Sequence, residues 1–417
     1  MKKVLIISYL FPPLNCGVCR QSKIAKYLPQ YGWTPIILTV KKSRLRPLYD
    51  ESLLKGIHSI TKVYRVFSFE SRILMQYIPD LIGVNYKYLN IPDPFIGWLP
   101  FAVLKGINII KKEKVDAIVS TSMPNTCHLV ALILKKISKL PWVADFREAW
   151  TQNPFIDYPK VILNIENKME SAVIRNADKI TAINDPIRND LVIKYPDQTP
   201  EKFITIPHGF DPEDFQDVEK LSSKKFTMTY TGSLYGRRSP KKFLEALKEI
   251  IEEDKNMKNE LRIQFIGNVH TAKEIAERLN LTDLVTTSGF VSHQQVFSYL
   301  AKSDVLLLII GSGRNDNTIS TGKLFEYMGS ETPILALVPE GVASDLIKSA
   351  NIGIVVHPDD IEGIKNAIHQ LYKKYKKGEL KIEPNQAIIK QHDMRILSKK
   401  FAKVLDEVVS KDSYEGV

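Results

Sequence analysis

The chain has 417 residues, which is too long for one compact domain and suits two of ordinary size. Its composition, 44% hydrophobic and 25% charged, is typical of a globular protein and excludes disordered and fibrous classes. No apolar run approaches the roughly 20 residues that cross a bilayer, and three cysteines cannot make a disulfide framework. We therefore expect a protein of the reducing cytoplasm.

The net charge of +11 is unevenly distributed along the chain. Residues 1–200 hold 28 Lys and Arg against 16 Asp and Glu, a net charge of +12, whereas the remainder has a net charge of −1. This excess predicts that the first half meets an anionic lipid surface, a phosphorylated substrate or nucleic acid. Nucleic acid is disfavoured, because aromatic and basic side chains do not alternate on any predicted strand.

The first half alternates apolar strands with amphipathic helices. It opens with a strand at residues 3–9, a loop rich in proline and glycine, a helix at 20–28 and a strand at 35–40. Further strands are predicted at 117–120, 142–145 and 179–183, and further helices at 126–140 and 162–175. This alternation is typical of a doubly wound parallel sheet.

The same alternation restarts after residue 206. Strands are predicted at 226–231, 261–266, 285–287, 305–310, 334–338 and 354–356, with helices between them. The sequence thus predicts an α/β protein of two Rossmann-like, doubly wound domains, residues 1–206 and 207–392, with a C-terminal helix at about 393–417 packing back on the first. Because such sheets bind ligands at the carboxyl ends of their strands, we expect a central cleft between facing domains.

Two segments of the first half combine apolar side chains with basic ones. The irregular stretch 64–100 mixes aromatic residues with lysine, arginine and proline, and the helix at 126–140 ends in Lys135, Lys136 and Lys139 beside an apolar stripe. Both features suit peripheral contact with an anionic membrane. The helix equally suits a core position with its lysines facing water.

Candidate residues of the first domain lie at the ends of its first and fourth predicted strands. Gly17, ahead of the first helix, would let a ligand approach the backbone amides, although a structural turn is an equal alternative. Asp145 ends a buried strand and is followed by Arg147 and Glu148. These charges either form a mutual ion-pair network or face a ligand, in which case a carboxylate accepts hydrogen bonds from acceptor hydroxyls or takes a proton.

In the second domain, the loop after strand 226–231 contains Gly232, Ser233, Arg237 and Arg238. Arginines after a glycine turn suit a diphosphate, because guanidinium binds phosphate oxygens bidentately. A solvated arginine pair is the alternative.

A second phosphate-binding feature follows downstream. If Gly322 opens a helix, the amides of Thr321, Gly322 and Lys323 form a positive N-terminus suited to phosphate. Glu326 lies one turn further and could accept hydrogen bonds from ribose hydroxyls. The alternative is an ordinary helix start with a solvated lysine–glutamate pair. No clear Asp-x-Asp metal motif is present.

In their order and spacing, these motifs resemble the retaining, nucleotide-sugar-dependent glycosyltransferases of family 4, which have the GT-B fold. The resemblance extends over almost the whole chain. Its segments are residues 12–17 (PPLNCG), 145–150 (DFREAW), 177–184 (ADKITAIN), 206–211 (IPHGFD), 230–234 (YTGSL), 288–291 (SGFV) and 323–334 (KLFEYMGSETPI).

The resemblance implies a donor-binding role for each matching residue. Gly17 would lie under the donor diphosphate, Arg238 would replace the family's phosphate-binding lysine, and Glu326 would bind the ribose. The remaining donor-binding assignments are Phe290 and Val291 beside the nucleobase, Gly232 and Ser233 in the loop after strand 226–231, and Thr321, Gly322 and Lys323 at the diphosphate.

The chain departs from the family pattern at two positions. Thr318 stands where the family has a glutamate eight residues before Glu326. Ser233, directly after Gly232, stands where the family usually has an arginine. The missing glutamate normally touches the transferred sugar, so the identity of that sugar stays open.

The resemblance implies a hexosyl- or N-acetylhexosaminyltransferase that moves a sugar from a nucleotide diphosphate, a UDP-sugar, with retention and without a metal or other cofactor. The acceptor would be lipid-linked or a growing glycan in cell-surface polysaccharide biosynthesis, including lipopolysaccharide or capsule. Asp145, Arg238 and Lys323 would be catalytic, and Asp145, Arg147 and Glu148 would bind the acceptor.

This interpretation places the protein in the cytoplasm, peripherally on the inner face of the cell membrane. Two alternatives stay open: a UDP-sugar epimerase of the same architecture, and a non-catalytic protein that binds nucleotide sugar or nucleic acid. The sequence leaves the oligomeric state undetermined.

Overall fold

The computed structural model describes residues 1–14, 20–43, 49–69, 90–153, 156, 158–216, 218, 224–313 and 316–412. They form two compact units. The first is Met1–Pro207 together with the chain from Met394, and the second is His208–Asp393. These boundaries lie one residue beyond those expected from the sequence.

The described part of the first unit contains a seven-stranded sheet with parallel neighbours throughout. Its strands are β1 (Lys2–Ile7), β2 (Trp33–Val40), β3 (Lys62–Val66), β4 (Ala117–Thr121), β5 (Trp142–Phe146), β6 (Lys179–Ala182) and β7 (Phe203–Thr205). The strand order is β3-β2-β1-β4-β5-β6-β7, so the direction of winding reverses between β1 and β4.

Helices cover both faces of this sheet. They are α1 (Arg20–Tyr27), α2 (Leu99–Glu113), α3 (Thr126–Ser138), α4 (Lys160–Asn176) and α5 (Asp185–Lys194). Alternate residues of β1 enter separate hydrophobic clusters, Leu5 and Ile7 in one and Val4 and Ile6 in the other. Successive side chains of a strand point to opposite faces, so a strand buried on both faces is continuously apolar.

The C-terminal helix, Met394–Asp412, belongs to the first unit. Phe401 and Leu405 are buried in the same cluster as Val4 and Ile6. Asp406 accepts a hydrogen bond of 3.2 Å from the indole N–H of Trp33. The chain therefore returns to the sheet with which it began.

The described part of the second unit contains a six-stranded sheet, also parallel, in the order β10-β9-β8-β11-β12-β13. Its strands are β8 (Phe226–Thr231), β9 (Leu261–Ile266), β10 (Val285–Ser288), β11 (Val305–Ile309), β12 (Ile334–Leu337) and β13 (Gly353–Val356). Its helices are α6 (Lys241–Glu253), α7 (Met257–Glu260), α8 (His270–Arg278), α9 (His293–Ala301), α10 (Gly322–Ser330), α11 (Val342–Ala350), α12 (Ile361–Lys376) and α13 (Gln386–Gln391). The winding reverses between β8 and β11.

The predicted α/β fold of two doubly wound domains is confirmed. In the described part of the first unit the sequence missed four elements, β3, β7, α2 and α5. Part of the stretch 64–100, expected to be irregular, is regular: β3 extends to Val66 and α2 begins at Leu99, whereas residues 70–89 of that stretch lie outside the described residues. Strand β3 was missed because it pairs at the sheet edge and is only half-buried, so its sequence is not a continuous apolar run.

Candidate functional site

The candidate site of the second unit lies at the carboxyl ends of β8 and β11, the neighbouring strands between which the winding reverses. The chain after β8 carries Gly232, Arg237 and Arg238, and the chain after β11 leads into α10. Doubly wound sheets bind ligands at such a switch point. Two loops that the sequence singled out separately therefore meet at one sheet edge.

Gly232 and Lys323 approach each other closely. The φ angle of Gly232 is +105°, and a Cβ atom there would lie 3.0 Å from the Nζ atom of Lys323. Nζ donates a hydrogen bond of 2.6 Å to the Tyr230 hydroxyl and lies 4.0 Å from the centre of that ring. Glycine at position 232 supplies both the left-handed backbone and the space that the lysine occupies.

The ammonium group of Lys323 lies in an unfavourable environment for a cation. Burial, and then the positive charge of Arg238, lower the pKa of Lys323 to about 7, against the opposing effect of Glu326. Desolvation and a like charge both disfavour the protonated form. A bound anion would relieve both effects, so these two cations suit a negatively charged ligand.

The start of α10 offers further hydrogen-bond donors. Thr321 is the N-cap residue, but its side chain makes no capping hydrogen bond. The Ser320 hydroxyl is buried and has no hydrogen-bond partner within the described part of the chain. The amides of a helix N-terminus favour anions, and the helix begins at Gly322 as the sequence predicted.

Glu326 lies one turn after Lys323. Its Oε1 atom is 3.7 Å from Nε2 of His293, the first residue of α9. Phe290 and Val291 precede Ser292, the N-cap residue of α9, and the side chain of Phe290 is half exposed. The predicted ribose-binding residue is thus next to the segment that was predicted to contact the nucleobase.

The two adjacent arginines have different partners. Arg237 forms an ion pair with buried Asp316, whereas Nη1 of Arg238 donates a 2.9 Å hydrogen bond to the Tyr235 hydroxyl. The Arg238 guanidinium also lies 4.7 Å from the centre of the Tyr235 ring. Of the two arginines, Arg238 is the one whose charge acts on Lys323.

The two departures from the family pattern lie in these same loops. The backbone carbonyl of Ser233 accepts a 2.9 Å hydrogen bond from the Tyr230 hydroxyl. Thr318 ends the short 3-10 turn Asp316–Thr318, four residues before the first residue of α10.

Asp145 is fully buried at the end of β5. Its carboxylate accepts hydrogen bonds from Gln21 (2.7 Å), Thr121 (3.2 Å) and Thr181 (2.8 Å), and lies 3.5 Å from the guanidinium of Arg20. These contacts connect the ends of three strands to α1. The catalytic and acceptor-binding role expected for Asp145 from the sequence stays a prediction.

The other residues predicted for the first unit lie in different surroundings. The backbone N–H of Arg147 donates to the Ser122 hydroxyl at 3.1 Å, and the exposed Glu148 accepts a 3.2 Å hydrogen bond from Asn153. Gly17 lies outside the described residues. Among the residues that are described, no group of three or more His, Cys, Asp and Glu side chains could hold a metal ion.

Sequence reasoning missed several residues of these sites. The Tyr327 hydroxyl accepts a 2.9 Å hydrogen bond from the backbone N–H of Thr231. It also forms a 3.1 Å hydrogen bond with the Thr231 hydroxyl. Tyr327 and Tyr230 lie inside motifs that the sequence singled out, although the motifs did not reveal their partners. Arg20, Asp316 and His293 carried no local signal.

Two family models match consecutive, slightly overlapping parts of the chain. The model described as Glycosyltransferase Family 4 matches residues 23–214, and the model described as Glycosyl transferases group 1 matches residues 211–391. No curated protein sequence matches the chain significantly.

Solved structures share the fold over nearly the whole chain. Anabaena Alr3699/HepE in complex with UDP is 14% identical with a TM-score of 0.65, covering 98% of this chain and 100% of its own. Sucrose-phosphate synthase from Thermosynechococcus elongatus is 15% identical with a TM-score of 0.65, covering 99% and 98%. WaaG, a glycosyltransferase involved in lipopolysaccharide biosynthesis, is 15% identical with a TM-score of 0.58, covering 96% and 99%. Two consecutive family models and this shared fold show that the protein belongs to the GT-B glycosyltransferases of the family 4/group 1 type.

Proposed function

We propose that this glycosyltransferase moves a hexose or an N-acetylhexosamine from a UDP-sugar to a lipid-linked or growing glycan in cell-surface polysaccharide biosynthesis, with retention of configuration. The observation that carries the donor assignment is the convergence of Lys323, Arg238 and the start of α10 beside Gly232. Solved structures of HepE contain UDP and UDP-glucose, which supports a uridine diphosphate donor here.

In the proposed reaction, the acceptor hydroxyl attacks the anomeric carbon from the face that the nucleotide leaves. The new carbon–oxygen bond forms as the bond to the diphosphate breaks, and the hydroxyl proton passes to an oxygen of the departing diphosphate. Negative charge develops on the departing diphosphate, and Lys323, Arg238 and the α10 amides stabilise it. Each well-placed donor of this kind contributes about 3 kcal/mol to lowering a barrier. We propose that these groups make a metal or other cofactor unnecessary, so a chelator should leave the rate of transfer unchanged.

The first unit is proposed to bind the acceptor, with Arg147 and Glu148 as the residues that contact it. Both are reached by solvent, whereas Asp145 is not. Asp145 is therefore assigned the structural task of holding the strand ends that precede them.

The decisive experiment is product analysis with a panel of radiolabelled sugar nucleotides and membrane lipids. Wild type is expected to transfer label to a lipid fraction. Arg238→Ala and Glu326→Ala should each reduce transfer by about 100-fold or more, because donor contacts are lost. Lys377→Ala, which removes an exposed lysine of the same unit, is the matched control and should keep full activity.

Three results would contradict the proposal. Full activity in both site variants would refute the donor site. An isomer of the donor sugar, formed without acceptor, would indicate an epimerase. Binding of a nucleotide sugar with no turnover on any acceptor would indicate a non-catalytic protein.

The proposed cellular place is the inner face of the cell membrane, with peripheral attachment through the first unit. Within the described residues, no helix combines the length and hydrophobicity needed to cross a bilayer. Helix α3, expected as one contact surface, instead fits the alternative of a core helix: Leu132 and Leu134 are buried, and Lys135 pairs with Asp178 at 2.7 Å.

A different surface supports membrane contact. Phe67, Phe69, Phe101 and Leu104 are all exposed, and the rings of Phe67 and Phe101 meet edge to face at 5.2 Å. The exposed face of α2 continues towards two exposed lysines, Lys111 and Lys112. Exposed aromatic side chains beside lysines suit the boundary of an anionic bilayer.

Vesicle flotation tests this attachment. The protein should float with phosphatidylcholine vesicles that contain phosphatidylglycerol, and not with phosphatidylcholine alone. The double variant Phe101→Ser/Leu104→Ser should lose binding, whereas Ile193→Ser, which removes another exposed apolar side chain of the same unit, should keep it. Equal flotation with both vesicle types, or of both variants, would refute this surface.

A further inference from the structure

An ion pair joins the two loops of the candidate donor site. Both oxygens of Asp316 accept hydrogen bonds from Arg237, at 2.8 Å from Nε and 2.6 Å from Nη2. The backbone N–H of Gly313 donates a third hydrogen bond of 2.8 Å. The Asp316 side chain is completely buried, and this two-pronged geometry is the strong form of an arginine–carboxylate pair.

The chain around Arg237 is built for this contact. A Cβ atom at Gly311 would overlap the Arg237 backbone and side chain, and one at Gly313 would overlap its Nε atom. The segment after β11 can therefore approach Arg237 only because both positions are glycine. Since Arg237 follows β8 and Asp316 lies between β11 and α10, the pair ties the two sides of the switch point together.

The ion pair of Arg237 also fixes the start of the next residue, Arg238. The positive charge of Arg238 lowers the pKa of Lys323 in α10. We infer that Asp316 and Arg237 are positioning residues, which hold the loop after β8 so that Arg238 is already beside Lys323 when the donor diphosphate arrives. This inference rests on the proposed function, because the diphosphate is its ligand.

The physical reason is the entropy of ordering a loop. A loop that is fixed before binding loses little conformational freedom when the ligand arrives, whereas a mobile loop must be ordered at the expense of affinity. Asp316 itself acts through Arg237 and is not proposed to touch the donor. Its loss should therefore weaken nucleotide binding through the loop.

Two conservative variants test the inference. Asp316→Asn keeps the side-chain size but removes the negative charge. Arg237→Lys keeps the positive charge but removes the guanidinium group that donates two parallel hydrogen bonds. Each should weaken UDP binding about tenfold in calorimetry, as expected for one strong charged contact. The double variant should be little weaker than either single one, because both changes break the same contact.

Hydrogen exchange supplies a readout that does not depend on a ligand. The backbone amides of residues 232–238 should exchange faster in Asp316→Asn than in wild type. The matched control is Glu260→Gln, which breaks a 2.8 Å ion pair with Lys376 elsewhere in the same unit. This control should change neither the UDP dissociation constant nor exchange in residues 232–238.

The possible failures are distinguishable. If wild type binds UDP and both variants bind it equally well, or if exchange in residues 232–238 is unchanged, the positioning role is wrong and the proposed function stands. If wild type binds no UDP, the proposed function and this inference are both wrong.

Discussion

Lys323 illustrates how far a single residue can be understood from its neighbours in the chain. Its place at the start of a helix, one turn before Glu326, was predictable from the motif. Its contact with Gly232, 91 positions earlier in the numbering, was not, because Gly232 is brought there by strand order. The lowered pKa of Lys323 arises from that burial.

Binding of UDP is expected to take up protons at pH 7.5. The pKa of Lys323 is lowered to about 7, so the free protein holds part of this lysine neutral at that pH. A bound diphosphate favours the ammonium form and raises the pKa, so affinity should fall as the pH rises above 7. Calorimetry in buffers of different ionisation enthalpy measures the uptake.

Lys323→Met should abolish this proton uptake and weaken UDP binding roughly 10- to 100-fold, the usual effect of losing a hydrogen bond to a charged group. Lys302→Met, at an exposed position after α9, is the control. Undiminished proton uptake in the Lys323 variant would assign the titration to another group.

Replacement of Asp145 by Asn should destabilise the protein rather than affect catalysis selectively. It leaves the buried Arg20 guanidinium without a counter-charge, and breaking a buried pair in this way costs about 3–5 kcal/mol. Urea denaturation measures the free energy of unfolding. The control Asp197→Asn breaks an exposed pair with Arg175 and should cost less than about 1 kcal/mol.

Asp145→Asn would contradict the structural assignment if it unfolded like wild type and yet lost sugar transfer. That result would support the catalytic or acceptor-binding role expected from the sequence.

At the level of elements, predictability depended on burial. Strands buried on both faces, such as β1 and β11, are continuous apolar runs and were predicted to within two residues. Helix α2 was missed although it packs closely on α3, where Gly106 meets Leu134. That close packing depends on Leu134, which is 28 positions from Gly106 in the numbering, so the local sequence of α2 did not predict the contact.

Tyr327 should contribute to stability through its polar contact between α10 and β8. Tyr327→Phe leaves the buried backbone N–H of Thr231 without its acceptor, which should lower the free energy of unfolding by about 1–3 kcal/mol. Urea denaturation is the measurement. Tyr31→Phe, which removes a 2.9 Å hydrogen bond at an exposed site, should have little effect because water replaces the partner. Equal losses in both variants would deny Tyr327 this role.

At the scale of the whole molecule, both ends of the chain contribute to one unit. The C-terminal helix packs on the sheet that contains β1, so the first unit is completed only by the last part of the chain. The assignment of donor binding to the second unit and acceptor binding to the first remains a proposal. Product analysis with sugar nucleotides and membrane lipids tests this assignment.

Phe401→Ala should destabilise the first unit by about 3–5 kcal/mol, because it opens a cavity under the C-terminal helix. Phe401 is 1% exposed, whereas neighbouring Lys403 is exposed and supplies the control Lys403→Ala. Thermal unfolding monitored by tryptophan fluorescence is suitable, since Trp33 lies in the same cluster. An unfolding midpoint shared by Phe401→Ala and Lys403→Ala would contradict this packing.

The sequence by itself determined the α/β class, the two doubly wound domains and the motifs that mark the proposed donor-binding loops. Hydrophobic periodicity and turn chemistry involve residues close together in the chain, so one sequence displays them. Only the tertiary structure decided which charges meet. Arg237 and Asp316 are 79 positions apart and Arg20 and Asp145 are 125 apart, so their pairing depends on strand order and not on any local pattern.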